Sequence, residues 1–398
     1  MKRAADIIIS SIFIIFITFG MCVTLFSQKD YYSFYENRSK ATLPVFSATS
    51  FFEGRYLAEL DEFLADHVAY RNFSLLTKTY SDLYIIKRPV VNDIVITEDL
   101  LLPYLDYLNT NDDRIMHQAK VCAQQIYEVQ QQVENYGGAY CYVGVPCQYT
   151  YFSDQYPWYL ENNYSYSSTS LRCFYKEVER LGINFVDMSA VFHDLENPRD
   201  MYLSTDNHFS LYGAYITYGV IVDLVRDTYN IHIDYPTKED IEFHFLVNSF
   251  MGSRSRKLMG LGKVEERLLM AEFLEPIPFT RVDNEVVADS SVYELPGSDT
   301  DSIMYSLYMG GDIANTILFT DRPQLPTILI YGDSFTNAVE CLMYFSCNEM
   351  HSIDLRYYDE MPLISYVQIV KPDIVICIRD FEVLIVPFGN NKLFEATD

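Results

Sequence analysis

The chain has 398 residues, which is long enough for one large domain or two smaller ones with hydrophobic cores. Hydrophobic residues make up 49% of it and charged residues 21%, which is typical of a globular protein rather than a disordered one. A formal net charge of −26 argues against a protein that binds nucleic acid or anionic lipid, because such polyanions would repel it. Seven of the eight cysteines follow Cys22, and this odd, scattered set does not make a disulfide framework, although Cys141/Cys147 and Cys341/Cys347 could each form a short local bridge. No Cys-x-x-Cys spacing is present, so we expect no metal site.

The amino terminus carries the pattern of a membrane segment. Lys2 and Arg3 precede residues 7–26, a run of twenty residues without a charge. At a rise of 1.5 Å per residue, such a helix spans roughly 30 Å, the thickness of a bilayer core. Basic residues before the run place the terminus inside the cell, and no small-x-small cleavage pattern closes it. Residues 1–27 are therefore predicted to be a signal anchor, with the bulk of the chain outside the cytoplasm. A cleaved signal peptide is the alternative.

The segment after the anchor divides into a linker and the start of a domain. Residues 28–52 show no clear hydrophobic period and are interpreted as a juxtamembrane linker, followed by a domain over residues 53–398. Leu57, Leu60, Leu64 and Val68 then recur at three- and four-residue steps, which predicts an amphipathic helix. Residues 93–104 carry the pattern of a small hairpin.

Helical and strand patterns alternate in the next part of the chain. Asn111 is the predicted N-cap of a long helix whose apolar stripe ends at Gly137 and Gly138. Further elements are predicted at 139–145 (strand), 168–181 (helix), 183–186 (strand) and 210–229 (helix). Alternation of this kind is typical of a mainly parallel sheet covered by helices on both faces.

The alternation is interrupted once. Residues 231–320 mix short apolar runs with acidic and glycine-containing stretches and are interpreted as an insertion with some β structure. After Pro326, strands are predicted at 327–331, 352–355 and 374–378, with helices at 337–344 and 363–370.

A serine follows the first of these last strands. Gly332, Asp333 and Ser334 form a sharp turn between the predicted strand and the predicted helix, at the carboxyl edge of the sheet. A serine there exposes its hydroxyl beside the first amides of a helix, which suits a nucleophile with an oxyanion site. The alternative is a simple turn, because glycine, aspartate and serine all favour turns.

A carboxylate and an imidazole lie two residues apart at Asp206 and His208. If the backbone there is extended, both side chains point the same way, so that the carboxylate orients the histidine and stabilises its charged form. Asp333 is a poorer partner, because it adjoins Ser334 and points elsewhere. The alternative is a helix-capping region with a surface histidine.

Several short motifs together resemble one known family, the DHHW family of bacterial extracytoplasmic proteins. That family is related to the alginate O-acetyltransferases of the SGNH superfamily. The motifs cover nearly the whole chain after the anchor: ADHVAYR at 65–71, TDNHFS at 205–210, GAY at 213–215, YSLYMGG at 305–311, GDSF at 332–335, IDLRYY at 353–358 and KPDIV at 371–375.

The resemblance implies a fold and a catalytic triad. The fold is an SGNH-like three-layer α/β sandwich with a mainly parallel central sheet, and the triad is Ser334, His208 and Asp206. The family's Asp-His-His-Trp motif reads Asp206-Asn207-His208-Phe209 here, so the middle histidine and the tryptophan are replaced. The outer aspartate and histidine remain.

The resemblance also implies a reaction. Ser334 would be acylated, His208 would act as base and then as acid, and Asp206 would orient it. The Ser334 amide would donate to the oxyanion, and the resemblance places Gly311, Arg356 and Tyr357 near the site. The expected activity is transfer of an acyl group, acetyl above all, to a cell-envelope or exported polysaccharide, without a cofactor.

Two other functions are compatible with the same residues. A carbohydrate esterase differs only in that water accepts the acyl group. An anchored, non-catalytic binding or assembly protein on an SGNH scaffold is the other alternative, and the altered Asp-Asn-His-Phe motif leaves it open. If the alginate enzymes are a guide, a separate multi-span membrane acyltransferase delivers the acyl group.

Overall fold

A computed structural model describes residues 2–26, 28–105, 111–160, 164–289, 291–381, 385–386 and 390–394. The α-helices are α1 (Lys2–Phe26), α2 (Ala48–Phe52), α3 (Arg55–His67), α4 (Arg71–Tyr80), α5 (Asp112–Asn135), α6 (Gln148–Tyr151), α7 (Tyr164–Leu181), α8 (Met188–His193), α9 (Leu211–Tyr229), α10 (Ser253–Lys257), α11 (Thr336–Met343), α12 (Leu363–Val370) and α13 (Asn390–Leu393). A π-helical turn covers Ser81–Ile86, and 3₁₀ turns cover Ser153–Gln155, Pro198–Met201, Tyr305–Leu307 and Tyr344–Ser346.

The strands are β1 (Tyr32–Ser33), β2 (Arg38–Ser39), β3 (Val90–Val91), β4 (Ile94–Ile96), β5 (Leu101–Pro103), β6 (Ala139–Val145), β7 (Phe185–Asp187), β8 (Ile241–Phe245), β9 (Leu269–Phe273), β10 (Thr280–Asp283), β11 (Val286–Ala288), β12 (Asn315–Phe319), β13 (Thr327–Gly332), β14 (Glu349–Asp354) and β15 (Ile374–Asp380). The chain forms two compact units. The first comprises residues 1–94 and 253–263, and the second comprises residues 95–252 and 264–398.

The second unit is built on an eight-stranded sheet with the order β11-β10-β12-β14-β13-β15-β6-β7. The five strands from β14 to β7 are parallel, and β12, β10 and β11 extend the sheet in antiparallel fashion. Helix α5 packs on α7, α9 packs on α11, and both α5 and α9 contact β6. The predicted α/β fold with a mainly parallel central sheet is confirmed.

Burial explains why these segments adopt their conformations. All seven residues of β6 are buried, as expected for a parallel strand covered on both faces. The apolar stripe of α5 is at most 1% exposed, and Asn111 caps the helix by accepting a hydrogen bond of 2.9 Å from the Arg114 amide. The stripe consists of Ile115, Ala119, Cys122, Ile126, Val129 and Val133.

Close contact between β13 and β15 explains the glycine before the serine turn. A Cβ atom at Gly332 would lie 2.0 Å from the Ile378 carbonyl oxygen. Any side chain at this position would therefore push the two strands apart at the edge where the candidate nucleophile sits.

The segment predicted as an insertion has two parts. Strands β8 and β9 form a separate antiparallel pair, whereas β10, β11 and β12 join the central sheet. Strand β12 pairs with β14 from Asn315 opposite Ile353 to Phe319 opposite Glu349. Much of this segment is therefore integral to the sheet that carries the candidate site.

The first unit contains the amino-terminal helix. Within the described residues, the segment Asp6–Phe26 is the one helix that is long and apolar enough to cross a membrane, with a mean hydropathy of 2.5. Only 6% of the apolar stretch of this helix is buried, so it is not a core helix of a globular domain. Its length and composition are those of a membrane anchor or of a signal sequence.

Candidate active site

Ser334 lies in the turn between β13 and α11, at the carboxyl edge of the parallel part of the sheet. Asp333 fixes this turn, because its carboxylate accepts hydrogen bonds from the Phe335 amide at 3.0 Å and from the Asp380 amide at 3.3 Å. Burial raises the pKa of Asp333, although these bonds and Arg379 act in the opposite direction. Asp333 thus connects the serine turn to the end of β15. Its carboxylate is bonded to these backbone amides, in line with the prediction that Asp333 is a poor partner for the histidine.

His208 is presented by a short loop. Tyr202 and Phe209 form an antiparallel bridge, and the Leu203 amide donates to the His208 carbonyl at 3.2 Å, which closes residues 203–208 into a loop. The backbone bends at residues 204–208, so the extended conformation considered for Asp206 and His208 is not present. Their side chains meet because Asp206 Oδ1 also accepts from the Asn207 amide at 2.8 Å, which folds the carboxylate back towards the loop.

The structure brings the three residues of the predicted triad together. His208 Nδ1 lies 2.6 Å from Asp206 Oδ1, and His208 Nε2 lies 2.7 Å from Ser334 Oγ. A carboxylate only accepts hydrogen bonds, so Nδ1 carries the proton of the neutral imidazole and Nε2 accepts from the serine hydroxyl. Asp206 is 2% exposed and His208 is 8% exposed, whereas Ser334 is half-buried.

The alternative role of Asp206, as a helix cap, does not fit this loop. Helix α9 begins at Leu211, and its N-cap is Ser210, whose hydroxyl accepts from the Gly213 amide at 3.1 Å. The hydroxyl of Ser210 in turn donates to the Asp200 carbonyl at 2.6 Å. The start of α9 is therefore capped by Ser210.

Tyr305 covers one face of the imidazole. Its ring is nearly parallel to that of His208, with 3.7 Å between the ring centroids and 4° between the planes. The Tyr305 side chain is buried, which raises the pKa of its phenol well above the ordinary value. Its hydroxyl is buried and has no hydrogen-bond partner among the residues that the structure describes. The other neighbours of His208 include Phe335, whose ring lies 5.1 Å away and also contacts Phe209.

Glu266 holds the backbone of the same loop. Its carboxylate accepts from the Ser204 amide at 2.6 Å, from the Thr205 amide at 3.0 Å and from the Thr205 hydroxyl at 2.8 Å. Burial raises the pKa of Glu266, the negative charge of Asp206 adds to this, and the hydrogen bonds lower it. The residues just before Asp206 are thus fixed from a segment about sixty positions further along the chain.

Gly311 and Arg356 are linked to the serine helix through Asp312. Asn337, in the first turn of α11, donates to Asp312 at 3.5 Å, and the Arg356 guanidinium forms an ion pair with Asp312 at 3.1 Å. Gly311 adopts a left-handed backbone conformation with a φ of +93°, which favours glycine. The positive charge of Arg356 also lowers the pKa of Asp333.

The described contacts of Tyr357 are with Arg356 and Asp354 and not with the three triad residues. It is 55% exposed, its ring lies 5.4 Å from the Arg356 guanidinium carbon, and its amide donates to the Asp354 carbonyl. Arg356 itself is held by Asp354 at 2.6 Å. Tyr357 thus borders the Arg356 cluster, and its assignment to the site stays a prediction.

Two residues of this arrangement were not identified from the sequence. Tyr305 belongs to the YSLYMGG motif, but nothing in the sequence indicates that it stacks on His208. Glu266 lies in an acidic and basic run, KVEER, where no local pattern distinguishes it from its neighbour Glu265. Among the residues that the structure describes, no group of three or more His, Cys, Asp or Glu side chains is arranged to hold a metal ion.

Comparison with known protein families finds a similarity to one kind of domain. The model of the SGNH hydrolase-like domain of the acetyltransferase AlgX matches residues 104–284, which include Asp206, His208 and Glu266. No curated protein matches the chain.

The solved structures that are similar to this chain include one of PatB1 and one of a DHHW family protein. The structure of PatB1 from Bacillus cereus with a sulfonyl adduct superimposes with a TM-score of 0.61 at 17% identity, covering 76% of this chain and 97% of PatB1. A DHHW family protein from Eubacterium siraeum superimposes with a TM-score of 0.54 at 15% identity, covering 77% of this chain and 97% of that protein. The resemblance to DHHW proteins and to the SGNH-type acetyltransferases, expected from the sequence motifs, is thereby confirmed.

Proposed function

We propose that this protein is a bacterial O-acyltransferase that is anchored in the cell membrane, faces outward and transfers acetyl groups to hydroxyl groups of a cell-envelope or exported polysaccharide. The observation that carries the proposal is the continuous hydrogen-bond chain from Asp206 through His208 to Ser334, with distances of 2.6 and 2.7 Å. The match to the SGNH hydrolase-like domain of an acetyltransferase supports the reaction class.

The first half-reaction would form an acyl-serine. His208 Nε2 accepts the proton of the Ser334 hydroxyl while Ser334 Oγ attacks the carbonyl carbon of the donor ester. The imidazolium that results is stabilised by the Asp206 carboxylate on its other nitrogen and by the Tyr305 ring on its face. The donor's C–O bond then breaks, and its leaving oxygen takes the proton from His208.

The second half-reaction would reverse these roles on a sugar. His208 Nε2 removes the proton of a polysaccharide hydroxyl, whose oxygen attacks the acyl-serine carbonyl, and Ser334 recovers its proton as the acyl C–O bond breaks. The Ser334 amide at the start of the helical turn is the proposed oxyanion donor. Arg356 is linked to this turn through Asp312 and Asn337, and its guanidinium is paired with the carboxylates of Asp312 and Asp354. The triad needs no cofactor for either step.

The acyl donor is the other partner in this proposal. A serine nucleophile outside the cytoplasm lacks direct access to activated acyl groups made inside the cell. We therefore propose that a separate multi-span membrane acyltransferase hands the acetyl group across the membrane, close to the amino-terminal helix of this chain.

The experiment that tests the proposal follows where the acyl group goes. The full chain in detergent is given p-nitrophenyl acetate as donor and a mixture of envelope-type oligosaccharides as acceptors, and both nitrophenol release and acetylated sugar are measured. A transferase releases nitrophenol faster when acceptor is present and yields acetylated sugar, and Ser334→Ala yields neither above background.

The other two functions correspond to different results. Nitrophenol release that is unaffected by any acceptor, without acetylated sugar, indicates an esterase. Equal, slow release by the wild type and Ser334→Ala overturns the enzymatic proposal and favours the non-catalytic scaffold.

A further inference from the structure

The ADHVAYR motif at residues 65–71 has no part in the candidate active site, yet it is among the most tightly bonded segments of the first unit. The Asp66 carboxylate receives both Arg38 guanidinium nitrogens, at 2.8 and 2.5 Å, and the Ala41 amide at 2.9 Å. The Arg38 guanidinium holds the pKa of Asp66 well below its ordinary value. Arg71 pairs with Glu36 at 2.8 Å. These contacts fix the corner between α3 and α4 against the β1–β2 hairpin.

The same corner contacts the end of the apolar helix α1. The Ala69 amide donates a hydrogen bond of 3.0 Å to the Thr24 hydroxyl, and the Lys29 ammonium donates to the Thr24 carbonyl oxygen. Thr24 is only 8% exposed, whereas Phe16 and Phe26 on the same helix are 75% and 84% exposed. The last turn of α1 is thus covered by the corner, while most of the helix is bare.

The corner itself exposes large apolar side chains at this level. Val68 is 48% exposed, Tyr70 is 67% exposed and Phe73 is 68% exposed. Tyr70 and Phe73 also line a cleft of about 380 Å³, whose other walls include Val23 of α1 and the charged side chains of Lys29, Asp30 and Arg71. Leu76 and Tyr80 continue this exposed face along α4 at helical spacing. We call Val68, Tyr70 and Phe73 the corner patch.

The depth of the corner patch follows from the length of α1. The apolar segment Asp6–Phe26 has 21 residues, which at 1.5 Å per residue matches the roughly 30 Å core of a bilayer. Thr24 lies two residues before its end, so a group bonded to Thr24 lies at the boundary between acyl chains and headgroups. Tyrosine and phenylalanine are stable at this boundary because their rings are apolar and broad.

We propose that the corner patch inserts into the outer interface of the bilayer and forms a second membrane contact beside α1. This inference rests on the proposed membrane anchoring. Its occupant is lipid, because the patch adjoins the membrane helix and the Thr24 contact fixes its depth. The ion pairs of Asp66 and Arg71 would hold the corner at that depth.

Tryptophan fluorescence tests this placement, because the chain has a single tryptophan, Trp158. In the Trp158→Phe background, Phe73→Trp or Val68→Trp places a lone fluorophore in the corner patch. Phe16→Trp, at the exposed middle of α1 in the same unit, is the positive control for a position inside the bilayer. Each full-length variant is reconstituted into phosphatidylcholine vesicles with or without brominated acyl chains, and vesicle flotation confirms that the chain is bound.

The corner patch variants are expected to emit at shorter wavelength and to lose about half or more of their intensity in brominated vesicles, as for a ring about 5–10 Å into the interface. The Phe16→Trp control should be quenched as well. Water-like, unquenched emission from both corner variants on floated vesicles overturns the proposal and indicates a protein partner for this face. Failure to float, or an unquenched Phe16→Trp control, overturns the proposed membrane anchoring and this inference with it. None of these readouts depends on acyl transfer, so the proposed enzymatic function is tested separately.

Discussion

Asp206 serves both the imidazole and the backbone of its loop. The same Oδ1 atom accepts from His208 Nδ1 and from the Asn207 amide, so the carboxylate orients the ring and shapes the bend that presents it. An amide in place of the carboxylate keeps an acceptor for the backbone but offers a donor to the ring. The imidazole then carries its proton on the wrong nitrogen and no longer accepts from Ser334.

Asp206→Asn is therefore expected to leave the fold intact and to lower acyl turnover by roughly 10⁴-fold, the loss known for the best-studied triad. Turnover per folded molecule and thermal melting are measured together. Asp200→Asn, an exposed carboxylate on the approach to the same loop, should change neither. A large melting shift with normal turnover per folded molecule would make Asp206 a structural residue and remove it from the triad.

Two substitutions test the ring and the hydroxyl of Tyr305 separately. The stacked ring lies on the imidazole. The buried hydroxyl has no hydrogen-bond partner in the described part of the chain, and burying such a group costs about 1–3 kcal/mol. Tyr305→Phe is expected to keep turnover and to raise the melting temperature. Tyr305→Leu, which loses the stack, should lower turnover by up to about tenfold, because aromatic stacking contributes about 0.5–1.5 kcal/mol. A loss of activity in Tyr305→Phe would show instead that the hydroxyl touches the substrate.

At the residue scale, the sequence predicted the groups that meet but not the way in which they meet. Asp206, His208 and Ser334 were identified from their chemistry and their motifs. The bend at residues 204–208, the Tyr305 stack and the Glu266 bonds depend on segments far apart in the chain. Local spacing carries no information about such contacts, so these features needed the structure.

The loop that carries the histidine is held by another element of the chain. Glu266 lies three residues before β9, and its two carboxylate oxygens accept from two successive amides of the loop, at Ser204 and Thr205. A glutamine has one acceptor oxygen, so its amino group would face one of these N–H donors.

We expect Glu266→Gln to lower the free energy of unfolding by about 2 kcal/mol and to reduce acyl turnover, because charged hydrogen bonds contribute about 1.5–3 kcal/mol. Chemical denaturation and turnover are measured on the same preparation. Glu265→Gln, the exposed neighbour, is the control and should behave like the wild type. Unchanged stability and turnover in Glu266→Gln would show that the loop holds its shape without this carboxylate.

Helix α11, which follows Ser334, contains a buried carboxyl group. Glu340 is 2% exposed and accepts from the Ser352 hydroxyl at 2.7 Å. Burial raises its pKa above the ordinary value, although its hydrogen bonds and Arg281 act in the opposite direction. A raised pKa means that the folded chain binds the proton more tightly than the unfolded chain. This contribution to stability is therefore present at low pH and is lost as the pH rises through the folded pKa.

Glu340→Gln removes this titration while keeping an acceptor for Ser352. The melting temperature of the variant relative to the wild type is expected to rise as the pH increases from about 4 to about 8. Glu360→Gln, at an exposed site, should show no such trend. A difference that is constant with pH, or one that falls, would contradict a raised pKa for Glu340.

At the element scale, most helices and strands were predicted within a few residues. Strand β6 and helix α12 have the predicted limits, because their apolar runs are bounded by glycine or proline and by lysine. Strands β10 and β11 were not resolved as parts of the central sheet. They contain only four and three residues, too few to show a hydrophobic period. They pair with each other, and β10 alone joins the sheet, through β12 more than thirty positions away.

At the scale of the whole molecule, the sequence and the structure agree on an apolar amino-terminal helix and a large α/β unit. In the structure, residues 253–263 group with residues 1–94. The domain limits that the sequence suggests remain predictions. The glycan and the acyl donor depend on surfaces and partners that no motif of this chain specifies. Detection of an acetyl group on Ser334 is therefore the most direct test of the proposed mechanism.

That test is mass spectrometry of the full chain after brief incubation with an activated acetyl ester and an acid quench. The wild type is expected to gain one acetyl group on the peptide that contains Ser334, and Thr336→Ala, which removes the other hydroxyl of the same turn, should gain it as well. Ser334→Ala should gain none, and His208→Ala should gain it far more slowly because Ser334 loses its base. Equal labelling of the wild type and Ser334→Ala, or no labelling of either, would contradict the assignment of Ser334 as a nucleophile.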